Sequence, residues 1–408
     1  MASLLAVTRA LAAPFELHAM LAAVAEAACQ VLQAERASVW LYDEARAELF
    51  IEVATDLPQI RLPVGAGLAG VCAQTRRAIN VPDCYADSRF NGEVDRRSGF
   101  HTRCALTLPL ADHRGDLVGV MQVLNKHGGV FDADDEVLAE ALAAQCAVAL
   151  SRVRMTQALV AGELMRQEME LAAMLQRCTL PTAMPQVPGY AMHGRFLPAS
   201  LTGGDTYDLA LIEQGLLVVL ADATGHGLAP ALSVTQMHAM LRMAFRLGAD
   251  LETAFRAVND QLVTLLPDGH FVTSFIGLLD AHAHRLRFLS GGQGPILHFQ
   301  AEHGACTAYR ATSFPMGAMP VQTLRPAVDL VMAPGDWLVL LSDGVYEYAD
   351  AAGLLFGRER VEQVVRQHAR LTPVELADRL MAALQSHAQG VAQDDDITLV
   401  LLRRDVMD

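Results

Sequence analysis

Residues 17–33 carry apolar side chains at helical spacing, with Leu17, Met20, Leu21, Val24, Ala28, Val31 and Leu32 on one face, and this period predicts an opening helix. Alternation replaces it in Ala37-Ser38-Val39-Trp40-Leu41-Tyr42 and Leu49-Phe50-Ile51-Glu52-Val53, two strands flanking a polar turn. A Gly-rich stretch at 64–70 opens a short helix over 68–75. Two more strands are predicted around 105–110 and 117–124, joined by a turn at 112–116. From Asp134 the helical period returns, and no proline interrupts it until Pro181.

Inside that stretch Leu150, Val153, Gln157, Val160, Leu164, Gln167, Leu171, Met174 and Cys178 follow one another at alternating intervals of three and four. The pattern predicts a coiled-coil connector, and with it a homodimer. The two glutamines weaken the seam, as suits a connector that shifts rather than merely holds. After Pro181, Pro185 and Pro188 the predicted strands are 190–198, 207–212, 216–221, 271–280, 285–290, 295–299, 337–342 and 397–403. Helices are predicted at 228–247, 250–265, 358–369 and 373–388. Strands in hairpin-like runs with helices clustered between them predict an α+β layered sandwich rather than a doubly wound parallel sheet.

A chain of 408 residues has room for two domains and a connector, expected at 1–152, 153–184 and 185–408. Apolar residues at 52% and charged residues at 19% fit well-cored domains. The net charge of −15 works against a nucleic-acid partner and against a broad anionic-membrane surface. The seven cysteines (29, 72, 84, 104, 146, 178 and 306) form no CxxC pair, so neither a zinc site nor a redox motif is offered. No apolar run reaches the roughly 18 residues of a membrane span. Glu16 and His18 interrupt the N-terminal apolar helix, unlike a signal peptide, and the expectation is a cytoplasmic protein.

The chemistry concentrates in four acids of the second half. They stand in Gly203-Gly204-Asp205, Ala221-Asp222-Ala223-Thr224-Gly225-His226-Gly227, Leu341-Ser342-Asp343-Gly344 and Asp394-Asp395-Asp396-Ile397-Thr398. Apolar runs lead straight into Asp222 and Asp343, and a carboxylate at the end of a buried strand is costly unless something positive meets it. Each motif alone is ordinary turn chemistry. Four in one domain, with no Lys or Arg in the motifs, point to a two-metal hydrolytic centre. Side chains alternate along an extended segment, so if Asp395 faces the ions, Asp394 and Asp396 face away.

These motifs, with Gly335-Asp336 and Val345-Tyr346-Glu347, resemble in order those of the bacterial SpoIIE-like branch of the PPM (protein phosphatase type 2C) Ser/Thr phosphatases, over roughly 181–404. The resemblance implies an α-β-β-α sandwich holding Mn²⁺ or Mg²⁺. By motif position it implies Asp205, Asp222, Asp343 and Asp395 as catalytic metal ligands, joined by the carbonyl of Ala223. It also implies a phosphoserine or phosphothreonine protein substrate, commonly a STAS-fold anti-sigma-factor antagonist acting in partner switching. The segment from Leu175-Gln176 to Leu180-Pro181 resembles the helix that couples regulator dimerisation to activity in such proteins. The alternative is a catalytically idle sensor or scaffold gripping a phosphorylated partner; retention of every metal acid argues against it.

Residues 15–152 resemble a GAF domain, through Gly65-Ala66-Gly67-Leu68-Ala69-Gly70, Asn80-Val81-Pro82-Asp83, Pro109-Leu110, and Gly119 through Lys126, with Phe131, Asp135 and Glu136. The Asn-Lys…Phe…Asp-Glu pattern resembles that of GAF domains binding cyclic nucleotides, which implies a small-molecule effector and a Lys126–Asp135 pair bracing the pocket. One departure concerns the phosphatase motifs. The Ala-Gly-His-x-Pro-Pro turn frequent there is replaced by Ser290-Gly291-Gly292-Gln293-Gly294-Pro295. Arg195 is expected to pack at a core edge, and His282 and His284 to lie at the surface.

Overall fold

The computed structural model describes residues 17–51, 60–225 and 227–406, so Glu16, the predicted strand residues Glu52 and Val53, and His226 lie outside it. The chain forms two compact units, Met1–Glu163 and Leu164–Asp408, with the division falling inside one long helix.

The first unit contains α1 (Leu17–Leu32), β1 (Ala34–Asp43), β2 (Glu48–Phe50), β3 (Arg61–Pro63), α2 (Gly67–Thr75), β4 (Ile79–Val81), α3 (Glu93–Ser98), β5 (Ala105–Ala111), β6 (Leu117–Lys126) and the start of α4 (Ala133–Arg177). Its antiparallel sheet runs β3-β2-β1-β6-β5-β4. Because strand side chains alternate, Val39 and Leu41 face one layer and Trp40 the other. The first layer packs Met20, Leu21 and Val24 of α1 with Leu142 and Cys146 of α4. The second packs Trp40 with Leu68 and Cys72 of α2.

The helix α4 opens with Asp134, Asp135 and Glu136, whose charge complements its N-terminal dipole. The predicted seam is buried at Leu150 but open beyond it, with Val160, Leu164, Leu171 and Met174 all more than half exposed. In the last turn Ala173 and Gln176 are buried again.

The second unit continues with β7 (Tyr190–Leu197), β8 (Asp205–Ile212), β9 (Gly215–Ala223), α5 (Leu228–Arg246), α6 (Leu251–Leu265), β10 (Val272–Asp280), β11 (Arg285–Gly291), β12 (Ile296–Gln300), β13 (Ala305–Tyr309), β14 (Val328–Val331), β15 (Trp337–Leu341), α7 (Asp343–Tyr346), α8 (Gly357–His368), α9 (Pro373–Ala388) and β16 (Ile397–Arg404). Two five-stranded antiparallel sheets form, β14-β11-β10-β9-β8 and β13-β12-β15-β16-β7. Val218, Leu220 and Phe275 of one sheet meet Leu338, Leu340, Val400 and Leu402 of the other in the central core. Helices α5 and α6 cover the first sheet's outer face, and α8 and α9 the second's. This is the expected α-β-β-α sandwich. The sheets come into close contact at Gly194, whose carbonyl accepts the Tyr207 hydroxyl at 3.1 Å.

The alternation pattern missed β3, β4, β13 and β14, each of which is the edge of its sheet. These four are only three to five residues long and half-wetted, so they carry a weak apolar period, unlike the eight-residue edges β7 and β8. The structure also begins β8 two residues before the predicted 207, at Asp205, which sets the geometry of the site.

Candidate metal centre

Asp205 opens β8 and lies directly opposite Asp222 of β9 in the antiparallel register. Opposed residues share a face, with Cβ atoms about 4.5–5.5 Å apart, so these two carboxylates stand side by side. Asp205 faces the inner layer: it is buried, and its Oδ2 accepts the Thr398 hydroxyl of β16 at 2.5 Å. Asp343 begins α7 immediately after β15, and Asp395 lies just before β16. The two strand ends are tied together by Ser342, whose Oγ accepts from Thr398 N at 2.9 Å and donates to Asp396 O at 3.1 Å. Acids from both sheets thus converge at one end of the sandwich.

Their protonation shows the crowding. Burial, then the Asp222 charge, holds Asp205 well above the usual carboxylate range. Burial, then Asp343 and Asp395, pushes Asp222 up to about 8. Asp343 lies at the solvent edge of the cleft, yet desolvation, Asp395 and Glu347 raise it too. No cation is among the groups acting most strongly on any of the three. Elsewhere in the same domain buried acids are matched. Asp208 meets Arg242 at 2.7 Å and His238 at 3.0 Å. Asp336 meets His298 at 2.9 Å, accepts from Ala301 N and Ala333 N, and is held below the usual range. The fold neutralises these structural acids and leaves the converging set unneutralised.

The donor set fits a hard divalent cation, being oxygen throughout. Among the described residues, no three His, Cys, Asp or Glu side chains already form a group tight enough to hold an ion alone. Ions such as Mg²⁺ keep several waters and take one or two carboxylates each, so a spread of paired acids suits them. The backbone is cleared for the same purpose. A Cβ on Gly204 would lie 2.7 Å from the Ala223 carbonyl and 3.0 Å from that of Gly225, so the carbonyl predicted as a ligand keeps its space only because residue 204 has no side chain.

Asp396 has a different task. Its carboxylate accepts from Gly204 N at 2.5 Å, Ala199 N at 2.8 Å and Asp205 N at 3.4 Å, so it pins the loop preceding Asp205. Gly203 must be glycine because a Cβ there would fall on that carboxylate. Gln176 is a contributor that the sequence pattern did not single out for the site. It is 4% exposed, and its Nε2 donates to Gly203 O at 2.6 Å and Asp205 O at 3.2 Å, while Gly203 N donates to its Oε1 at 3.2 Å. The last turn of α4 therefore grips the backbone of the Gly203-Gly204-Asp205 loop. Its visible signal was its place in the Leu175-Gln176 to Leu180-Pro181 segment that resembles a coupling helix, which gives no hint of a contact with the Asp205 loop.

Gln293, in the turn that departs from the frequent motif, is buried and bridges the sheets. It accepts from Thr273 Oγ1 at 2.9 Å and donates to Leu341 O at 3.0 Å. Arg195 pairs with Asp378 of α9 at 2.7 Å, and His282 and His284 lie in the β10–β11 turn. All seven cysteines are free thiols, and burial pushes Cys72 and Cys84 up to about 12.

In the first unit Lys126 and Asp135 form the expected ion pair. A cavity of about 90 Å³ is lined by Trp40, Leu68, Phe90, Asp95 and Thr102. Asp95 is committed to Thr102 N and Oγ1, both at 2.7 Å, and to the Tyr85 hydroxyl. Trp40 is one of its lining residues, and its Nε1 is buried with no hydrogen-bond partner among the described residues. No helix among the described residues is long and apolar enough to cross a membrane.

Fold and site define a metal-dependent phosphatase domain that follows a GAF-type domain along the chain. The family described as GAF domain matches residues 16–150, and that described as Stage II sporulation protein E (SpoIIE) matches 212–405. The SiaA-PP2C domain of Pseudomonas aeruginosa shares the fold, at TM-score 0.52 and 22% identity, over 60% of this chain and 98% of that one. A probable 3′,5′-cyclic phosphodiesterase, pde-5, of Caenorhabditis elegans is 31% identical over 153 residues, 34% of this chain and 21% of that protein. A cGMP-specific 3′,5′-cyclic phosphodiesterase of Drosophila melanogaster is 40% identical over 77 residues, 19% of this chain and 7% of that protein. The chain spans about a fifth or less of the length of these curated relatives. Residues 16–150 thus form a GAF-type domain, and residues 212–405 match a SpoIIE-type PP2C domain of the metal-dependent Ser/Thr phosphatases.

Proposed function

We propose that this chain is a ligand-regulated phosphoprotein phosphatase, with residues 1–152 as sensor, 153–184 as connector and 185–408 as the catalytic domain. Asp205, Asp222, Asp343, Asp395 and the Ala223 carbonyl would hold two Mn²⁺ or Mg²⁺ ions. The observation carrying this reading is the contrast between acids left uncompensated at the strand ends and the buried acids neutralised elsewhere in the domain. When bound, the ions supply an activated water and offset charge on the phosphoryl oxygens during in-line attack. The chain's own contribution is placement. Thr398 orients Asp205, Asp396 fixes the loop before it, and Ser342 sets the spacing of the two strands that deliver Asp343 and Asp395.

The substrate on this reading is a phosphoserine or phosphothreonine protein, of the anti-sigma-factor-antagonist type with a STAS fold. The Gln176 contacts support α4 as the regulatory connector, and the open Val160, Leu164, Leu171 and Met174 positions support pairing with a second copy. The cyclic-nucleotide vocabulary of the curated relatives, with the unpartnered Trp40 indole in the cavity, supports a cyclic nucleotide or similar small ligand for the sensor.

The test is Mn²⁺-dependent hydrolysis of para-nitrophenyl phosphate by native protein and by Asp222→Ala and Asp343→Ala, with circular dichroism as the control on folding. Both variants should be folded and inactive. Full activity in either would refute the assignment, and a folded native protein that neither binds Mn²⁺ nor turns over would favour the idle scaffold.

A further inference from the structure

A cavity of about 690 Å³ opens in the second unit where the turn at Gly294 and Pro295, the end of β13 and the start of α8 meet. It has an apolar wall of Pro295, Tyr309 and Phe356, and a cationic rim of Arg310, Arg358 and Arg360 with one acid, Glu359. Such a rim stands out on a chain of net charge −15. Two of the arginines are partly engaged. Arg358 Nε meets Glu362 at 3.0 Å, and Arg360 Nη1 donates to Leu355 O and Phe356 O at 3.0 and 2.7 Å. Arg310 is exposed and has no partner among the described residues. The ladder between β12 and β13 pairs Ile296 with Tyr309, which fixes Arg310 beside Pro295.

One wall of the cavity is bonded to the segment that carries Asp343. The Tyr346 hydroxyl donates to Pro295 O at 3.4 Å, and Tyr346 lies three residues beyond Asp343 in α7. Gln293, two residues before Pro295, donates to the carbonyl of Leu341, two residues before Asp343. The Gly294–Pro295 wall is thus tied twice to the segment that presents Asp343. An anionic substrate meets repulsion from the converging carboxylates, and cationic groups beside them would offset it and select what approaches.

We propose that this cavity is a docking site for carboxylate side chains flanking the phosphorylated residue of the protein substrate, with Arg310 and Arg358 as the contacting cations. The proposal rests on the phosphatase reading above and adds a substrate preference, an acidic flank, that the metal centre does not impose. Small phosphate esters do not reach the cavity, so its effect is confined to the KM of peptides and proteins.

The experiment compares native protein with the charge-reversed double variant Arg310→Glu/Arg358→Glu. Its probes are para-nitrophenyl phosphate, a phosphoserine peptide flanked by aspartates, and its counterpart flanked by alanines. Native protein should favour the aspartate peptide by about tenfold in kcat/KM through KM, the sum of two exposed ion pairs of ordinary strength. The double variant should lose that preference while hydrolysing para-nitrophenyl phosphate at the native rate. Arg366→Glu, on α8 outside the cavity, should keep the preference and so separate local contact from net charge. Equal rates on both peptides in native protein, a preference surviving in the double variant, or its equal loss in Arg366→Glu would each overturn the proposal. Binding of the same labelled peptides without Mn²⁺, followed by fluorescence anisotropy, decides the question independently of turnover. If native protein hydrolyses nothing, the phosphatase reading falls. The docking site then stands if the double variant loses aspartate-peptide binding and falls if binding is unchanged.

Discussion

Replacing Gln176 with Leu tests whether the connector helix holds the catalytic loop or merely ends beside it. The change keeps most of the side-chain volume but removes two donated bonds, to Gly203 O at 2.6 Å and Asp205 O at 3.2 Å, and one accepted bond, from Gly203 N at 3.2 Å. Residue 176 is 4% exposed, so water cannot readily take its place. An unsatisfied buried polar group costs about 1–3 kcal/mol. With at least two of the three groups left unpaired, the loss is about 2–5 kcal/mol unless the loop moves to recover it. In a unit of this size about 1 kcal/mol shifts Tm by 2–4 °C, which places the expected drop at about 4–20 °C in a protein that still folds. Any relief comes from displacement of the loop that carries Asp205, and a shift of about 1 Å in a reacting group can cost about a hundredfold in rate. Differential scanning fluorimetry and Mn²⁺ titration of para-nitrophenyl phosphate hydrolysis therefore belong together. The variant should melt lower, need more Mn²⁺ for half-activation, and turn over at least about tenfold more slowly at saturating metal. A variant that melts lower yet keeps the native Mn²⁺ midpoint and kcat would reduce Gln176 to a packing residue. A variant with native Tm would show that the three bonds hold nothing.

The raised acids set a pH dependence whose sign can be worked out. With Asp222 at about 8 when folded and near 4 when unfolded, its protonated form contributes stability that is complete below about 4 and lost as pH rises through about 8. Metal-free protein should thus show a falling Tm over that window, less so in Asp222→Asn, and saturating Mn²⁺ should reverse the slope; a flat metal-free profile would contradict the crowding. At the close approach of the two sheets, a Cβ added to Gly194 would come within 2.7 Å of Tyr207 Cδ2, so Gly194→Ala should lose about 1–3 kcal/mol in urea unfolding, and an unchanged midpoint would refute that packing. In the sensor, cyclic GMP or cyclic AMP at a hundred times its Kd should stabilise the native state by about 2.7 kcal/mol. Trp40→Phe should shrink that shift, and an equal shift would show that the ligand does not use the indole.

What the sequence could and could not disclose follows from where information is stored. Central strands are buried on both faces, so runs such as Leu216 through Leu220 and Trp337 through Leu341 announce themselves. The edge strands β3, β4, β13 and β14 face water on one flank and are written in mixed residues, and the period is lost there. The acids were legible because each stands at a discontinuity, where an apolar run or a pair of glycines ends on a charge or, at Asp395, where charges give way to an apolar strand. The register that sets Asp205 opposite Asp222 was not, since it depends on β8 starting two residues earlier than its apolar pattern suggests. Asp396 and Gln176 mark the deeper limit. Both act on backbone N–H and carbonyl groups, and a backbone group leaves no residue type at the far end of the contact to be recognised. Nothing about Gly203 as a letter says that a glutamine twenty-seven positions earlier will bond to its carbonyl. Only its lack of a Cβ hints that something, here the Asp396 carboxylate, presses close. The residues that would perform the chemistry could be read along the chain, whereas those that hold them in place emerged only from the fold. On the proposed function, it is through that second group that a signal from the connector helix would reach the loop before Asp205.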